Sequence, residues 1–127
     1  MRSIPNLTVI VPSDGVSTRQ ALFKLYQHQG PAYLRLGRPA LPLIYKDDMD
    51  FQIGHGIQLR QGHDAAIIAC GAMVALALQA AEILAAEGIQ LSVVDMHSIK
   101  PLDKDITVSL AMQTGAMLTA EEHSIIG

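Results

Sequence analysis

The sequence predicts an α/β protein built on a mostly parallel sheet, and three observations carry that prediction. Short β-branched runs alternate with helical stretches along most of the 127 residues. Residues 65–96 read as strand, helix, strand, the pattern of a βαβ unit with parallel strands and a right-handed crossover. Half of the residues are apolar and only 17% are charged. A chain of this length can therefore bury a sizeable core, roughly two thirds of its unfolded surface.

Taken in order, "LTVIVP" (7–12) is a β-branched run closed by proline and reads as a buried strand. Ser13 or Asp14 then supplies an N-cap for a helix over 15–29. Leu22, Leu25 and Tyr26 share one face of it, and Gly30-Pro31 stops it. "AYLRLG" (32–37) alternates as a strand, with Leu34 and Leu36 opposite Tyr33 and Arg35. Residues 38–50 carry two prolines and an acidic cluster and read as a linker. "FQIGHGIQLRQG" (51–62) is a strand pair, or an edge strand bent at its glycines.

"AAIIAC" (65–70) is a strand, followed by a helix over 72–87 with Met73, Leu76, Ala77, Ala80 and Leu84 on one face. Gly88 stops that helix, and "IQLSVVDM" (89–96) is the next strand. Asp103 caps a helix running to about Gln113, Gly115 ends it, and "AMLTAEE" (116–122) is a last strand. Residues 1–37 are too few to build a sheet alone, so this piece reads as the tail of a larger unit, joined by the linker to 51–127.

The net charge of −3 offers no footprint for nucleic acid or for an anionic membrane. The apolar run near the N-terminus is too short for a signal peptide, and nothing approaches a membrane-spanning length. The single cysteine, Cys70, permits no internal disulfide, which fits a reducing cytoplasm. The five histidines show no metal-ligand spacing. "GHG" at 54–56 opens like a dinucleotide fingerprint, but Leu59 stands where its third glycine belongs. Gly71 joins a strand to a helix N-terminus without the second glycine, Lys or Ser of an anion loop.

Ligands of parallel α/β sheets lie beyond the carboxyl ends of the strands. Three polar clusters fall there: Arg35 to Arg38, Asp95 with His97, and Glu121-Glu122-His123. Each has an ordinary reading as well, since strand ends meet water and acids there cap helices.

"IPNLTVIVPSDGVST", "YLRLGRP", "DMDFQIGHG", "VVDMHSIKPLD" and "TAEEHSIIG" follow one another with the order and spacing of the C-terminal part of transketolases, which the chain resembles. The resemblance covers essentially the whole chain. Related versions occur in 1-deoxyxylulose-phosphate synthases and in the β-subunits of 2-oxo-acid dehydrogenases. It implies that 1–37 end a pyrimidine-binding domain, that 38–50 are a linker, and that 51–127 are most of a transketolase C-terminal domain, the chain being cut at both ends.

The resemblance further implies transfer of a two-carbon ketol unit between ketose and aldose phosphates in the pentose phosphate pathway, in a cytoplasmic homo-oligomer, a dimer. Thiamine diphosphate and Mg²⁺ would serve the complete enzyme. Their GDG…N motif and activating glutamate belong to diphosphate- and pyrimidine-binding parts supplied by the same or a separate chain, so no cofactor binding is expected of this chain alone. "SDG" at 13–15 is not that motif. Arg38 matches the arginine that binds the substrate phosphate, while Glu121, Glu122 and His123 map near a subunit contact. No catalytic residue is assigned. The alternatives are a non-catalytic dimerisation or docking module, and a β-type subunit of a 2-oxo-acid dehydrogenase.

Overall fold

The computed structural model describes residues 1–38 and 40–123. Ten elements follow in order: β1 (Thr8–Ile10), α1 (Gly15–Gln27), β2 (Ala32–Leu34), β3 (Ile57–Arg60), β4 (Ala65–Ala69), α2 (Met73–Ala86), β5 (Leu91–Asp95), β6 (Ser98–Lys100), α3 (Lys104–Thr114) and β7 (Met117–Ala120). They form two sheets, β2-β1-β6 and β3-β5-β4-β7. The pairings β1·β2, β4·β5 and β4·β7 are parallel, while β1·β6 and β3·β5 are antiparallel. The α/β class with mostly parallel strands is therefore what the chain adopts.

The segment "VVDMHSIK" serves both sheets. Its first part completes β5 between β3 and β4, and its last part crosses over as β6 to pair with β1. Sequence reading ends the strand at Met96, assigns nothing to residues 97–99 and does not see β6. That strand supplies β1 with a second neighbour from distant sequence, so residues 1–37 do not have to close their sheet alone. Periodicity cannot announce a three-residue strand whose partner lies about ninety residues away. Every residue from Leu91 to Ser98 is buried, as expected of a strand run covered on both faces.

The helices keep only part of the inward faces that the sequence predicts: on α2, Ala77 is buried and Met73 and Leu84 pack against the core as expected. Helix α2 buries Val74, Ala77 and Ala81 against Ala69, Leu91 and Val93, whereas Leu76 is 52% exposed. Helix α1 buries Val16, Ser17 and Ala21, leaving Tyr26 90% exposed. Helix α2 is apolar almost all round, so period alone does not select a face. Small residues win the inner side because alanine lets a helix axis approach a sheet closely. Leu25 does pack inward, joining Ile10, Ala21 and Phe51 in a separate core. Among the described residues no helix is long and apolar enough to cross a membrane.

Candidate functional site

The carboxyl ends of β1, β2, β4, β5 and β7 converge where the two sheets meet. Two hydrogen bonds weld the seam: Val11 N–H donates to the His97 carbonyl at 2.8 Å, and Met96 N–H to the Ala69 carbonyl at 2.7 Å. Around it lies a cleft of about 240 Å³ lined by Val11, Arg35, Gly37, Cys70, Gly71 and Glu122. A second, of about 390 Å³, shares Arg35 and adds Tyr33, Glu121 and His123. Gly71 sits at φ 56° with Val11 Cγ1 only 3.0 Å from where its Cβ would be. A side chain there would be strained and crowded, so glycine brings the turn into α2 close against the end of β1.

Arg35 bridges the sheets. Its backbone N–H donates to the Ile10 carbonyl at 2.9 Å. Its guanidinium donates to Glu121 Oε1 at 3.0 Å and to the Glu122 carbonyl. The ion pair is partly exposed, with side chains 27% and 37% accessible, and is worth at most about 1 kcal/mol. Its effect is to place: it ties the chain leaving β2 to the chain leaving β7. Arg38, three residues on, is exposed and makes no hydrogen bond or ion pair with the described residues. Glu122 and His123 are exposed as well. Two of the three predicted clusters thus meet, through Arg35 and Glu121.

Asp95 and His97 are fully buried and take separate partners. The His97 ring lies 4.1 Å from that of Phe51, and its Nε2 is 3.2 Å from the Gln52 carbonyl. Burial lowers its pKa, so the ring stays neutral, with Nε2–H as donor. Asp95 Oδ2 accepts from Ser13 Oγ at 2.6 Å and from the Tyr45 hydroxyl at 2.8 Å. Its Oδ1 is buried without a partner among the described residues.

Next to Ser13, Asp14 caps α1 by accepting from Ser17 N–H at 2.7 Å on Oδ1. Its Oδ2 accepts the backbone N–H groups of Ile44 at 2.8 Å and Tyr45 at 2.9 Å. Sequence reading misses Tyr45. The one signal available was an aromatic residue inside an otherwise proline-rich, acidic linker.

Burial dominates Asp95 and lifts its pKa to about 6, although the Ser13 and Tyr45 hydroxyls pull it down; the Asp14 carboxylate raises it further. Asp14 is also desolvated, but its three backbone N–H donors prevail and lower its pKa. Burial pushes the Cys70 thiol up to about 12, helped by Glu121. At neutral pH burial therefore holds Cys70 in its protonated form.

Between the ordinary carboxyl value near 3.8 and about 6, the folded chain keeps on Asp95 a proton that the unfolded chain has lost. Stability from this group therefore falls as pH rises across that window, by up to roughly 3 kcal/mol. Asp14 works in the opposite sense at lower pH, so the measurement must be differential. Unfolding of wild type and Asp95→Asn, compared from pH 4 to 7, should show the wild type losing stability relative to the variant as pH rises. A pH-independent difference would contradict this assignment.

Residues 54–127 match the family described as Transketolase, C-terminal domain. The chain is 44% identical over its full length to the 6-deoxy-6-sulfo-D-fructose transketolase subunit SqwH of Clostridium sp. (strain MSTE9), of which it covers 39%. It is 40% identical, again over its full length, to one of the subunits of the apulose-4-phosphate transketolase of Phocaeicola vulgatus, covering 41% of that protein. A solved structure described as a split gene transketolase, inactive beta4 tetramer, superposes on 100% of the chain and 42% of its own, with a TM-score of 0.98 at 48% identity. The chain thus spans about two fifths of the length of these relatives.

Proposed function

Because this chain belongs to the transketolase family through its C-terminal domain, we propose that it is the substrate-phosphate-binding and domain-contact section of an enzyme that moves a two-carbon ketol unit between ketose and aldose phosphates. The observation that carries this reading is the superposition of the whole chain, at a TM-score of 0.98, on a split gene transketolase. Residues 1–37 would end a pyrimidine-binding domain, 38–50 would be the linker and 51–127 the C-terminal domain. Arg38, exposed and next to Gly37 of the cleft wall, would grip the phosphate oxygens in a bidentate way. Glu121, Glu122 and His123 would lie near a subunit contact of a cytoplasmic homo-oligomer, a dimer.

Transketolases as a family depend on thiamine diphosphate. When bound, the cofactor supplies the carbon nucleophile that carries the two-carbon unit. The donor set on this chain does not suit the cofactor's Mg²⁺-diphosphate end. Asp14, the acid of the "SDG" turn, commits both carboxylate oxygens to backbone N–H groups. Among the described residues no three His, Cys, Asp or Glu side chains come together as metal ligands. The diphosphate- and pyrimidine-binding parts, in the same or a separate chain, would hold it.

The test joins two measurements. Calorimetric titration of this chain alone with thiamine diphosphate and Mg²⁺ should show no saturable binding at micromolar cofactor. With the cofactor-holding part supplied, ketol transfer from ketose to aldose phosphate should appear. Cofactor binding by the isolated chain, or inactivity of the complete assembly on every sugar phosphate tried, would overturn the reading.

A further inference from the structure

We propose that Asp95 is a positioning residue for the linker that carries Arg38, acting through the hydroxyls of Tyr45 and Ser13. The inference rests on the reading of Arg38 as the phosphate ligand. The chain leaving β2 is held first at Arg35, by its bonds to Ile10 and Glu121. It is held next at Ile44 and Tyr45. Both donate backbone N–H to Asp14, and the Tyr45 hydroxyl donates to Asp95. Arg38 is itself exposed and lies in sequence between these two anchors.

Asp95 joins the anchor's three parts: the entry to α1 through Ser13, the linker through Tyr45, and the end of β5 through its own backbone. Asp14 fixes the linker's backbone to α1, and Asp95 ties that pair to the four-stranded sheet. The groups facing the Asp95 carboxyl are the Ser13 and Tyr45 hydroxyls, the Asp14 carboxylate and the Cys70 thiol. None of them is cationic. A carboxyl at 0% exposure with one oxygen unpaired among the described residues does little for stability. Its benefit is geometric: a single oxygen that converges two hydroxyls from distant segments sets where the linker stands relative to both sheets.

The test uses the assembled enzyme, with phosphorylated and unphosphorylated acceptor aldoses as probes. Tyr45→Phe loses one hydrogen bond while keeping the ring's packing. It should raise KM for phosphorylated acceptors about 3- to 10-fold, with kcat within about two-fold. Unphosphorylated acceptors should be unaffected. Amide exchange at Ile44 and Tyr45 should accelerate, because the anchor opens locally. Asp95→Asn keeps an acceptor oxygen and should behave nearly as wild type, whereas Asp95→Ala should reproduce the Tyr45→Phe defect. In an Arg38→Ala background, Tyr45→Phe should add no further KM effect.

Unchanged exchange in Tyr45→Phe would overturn the anchor while leaving Arg38's assignment intact. A full KM effect of Tyr45→Phe without Arg38 would overturn the link between the two. Conversely, loss of Arg38 without a phosphate-selective defect, together with faster exchange in Tyr45→Phe, would preserve the anchor and remove the phosphate reading.

Discussion

Arg38→Ala, in the complete enzyme, should lower kcat/KM for phosphorylated sugars by roughly 10- to 150-fold. The loss corresponds to one charge-assisted contact of about 1.5–3 kcal/mol. Most of it should appear in KM, because a phosphate remote from the reacting carbons is held alike in ground and transition states. Unphosphorylated short substrates such as glycolaldehyde or hydroxypyruvate never make the contact and should react as before. Arg35→Ala is the informative comparison. Arg35 is engaged with Glu121 and Glu122, so its loss should disturb both substrate types together by loosening the seam between the sheets. Equal losses on both types in Arg38→Ala would mean that the arginine supports structure and not substrate.

Gly62→Ala should be the most damaging single-methyl change. A Cβ at Gly62 would fall 2.3 Å from the Leu91 carbonyl carbon and 2.5 Å from the Gln90 carbonyl carbon and oxygen. These are backbone atoms of and beside β5, which cannot rotate away as a side chain can. Gly62 is also strapped to that strand, its N–H and C=O both bonded to Ser92 Oγ, with the N–H groups of His63 and Asp64 on the Gln90 carbonyl. Relief of the clash means lifting the loop and giving up these bonds, a cost of roughly 3 kcal/mol or more. The thermal midpoint should fall by about 10 °C.

Gly115→Ala makes the control. Gly115 ends α3 at φ 69° with nothing within 4 Å of its Cβ position, so only backbone strain is at stake. That costs about 1 kcal/mol. Thermal unfolding of the three proteins side by side decides the matter. A Gly62→Ala midpoint no lower than that of Gly115→Ala would show that the loop yields freely.

Local chemistry was enough to determine the alternation of strands and helices, the βαβ unit over 65–96, and the cap at Asp103, and it narrowed the α1 cap to Ser13 or Asp14. These depend on residues within one turn or one strand of each other. The quoted motifs, from "VPSDG" to "EEHSIIG", likewise carried the family, because they are contiguous. The residues of the seam were legible only as separate clusters. Arg35 and Glu121 lie eighty-six positions apart, and Ser13 and Asp95 eighty-two, and nothing in either neighbourhood names its partner.

Three things were decided by tertiary structure alone. The first is which residues of α1 and α2 sit innermost, Ala21, Val74 and Ala81 rather than Leu22, Tyr26 and Leu76, because close approach to a sheet rewards small side chains. The second is β6, whose three residues become a strand only because the edge of β1 is within reach. The third is the buried Asp95 carboxyl with its two hydroxyl donors. A sequence can place a carboxylate at the end of a strand; whether it meets water there or a tyrosine fifty residues earlier in the chain depends on how the two sheets close on each other.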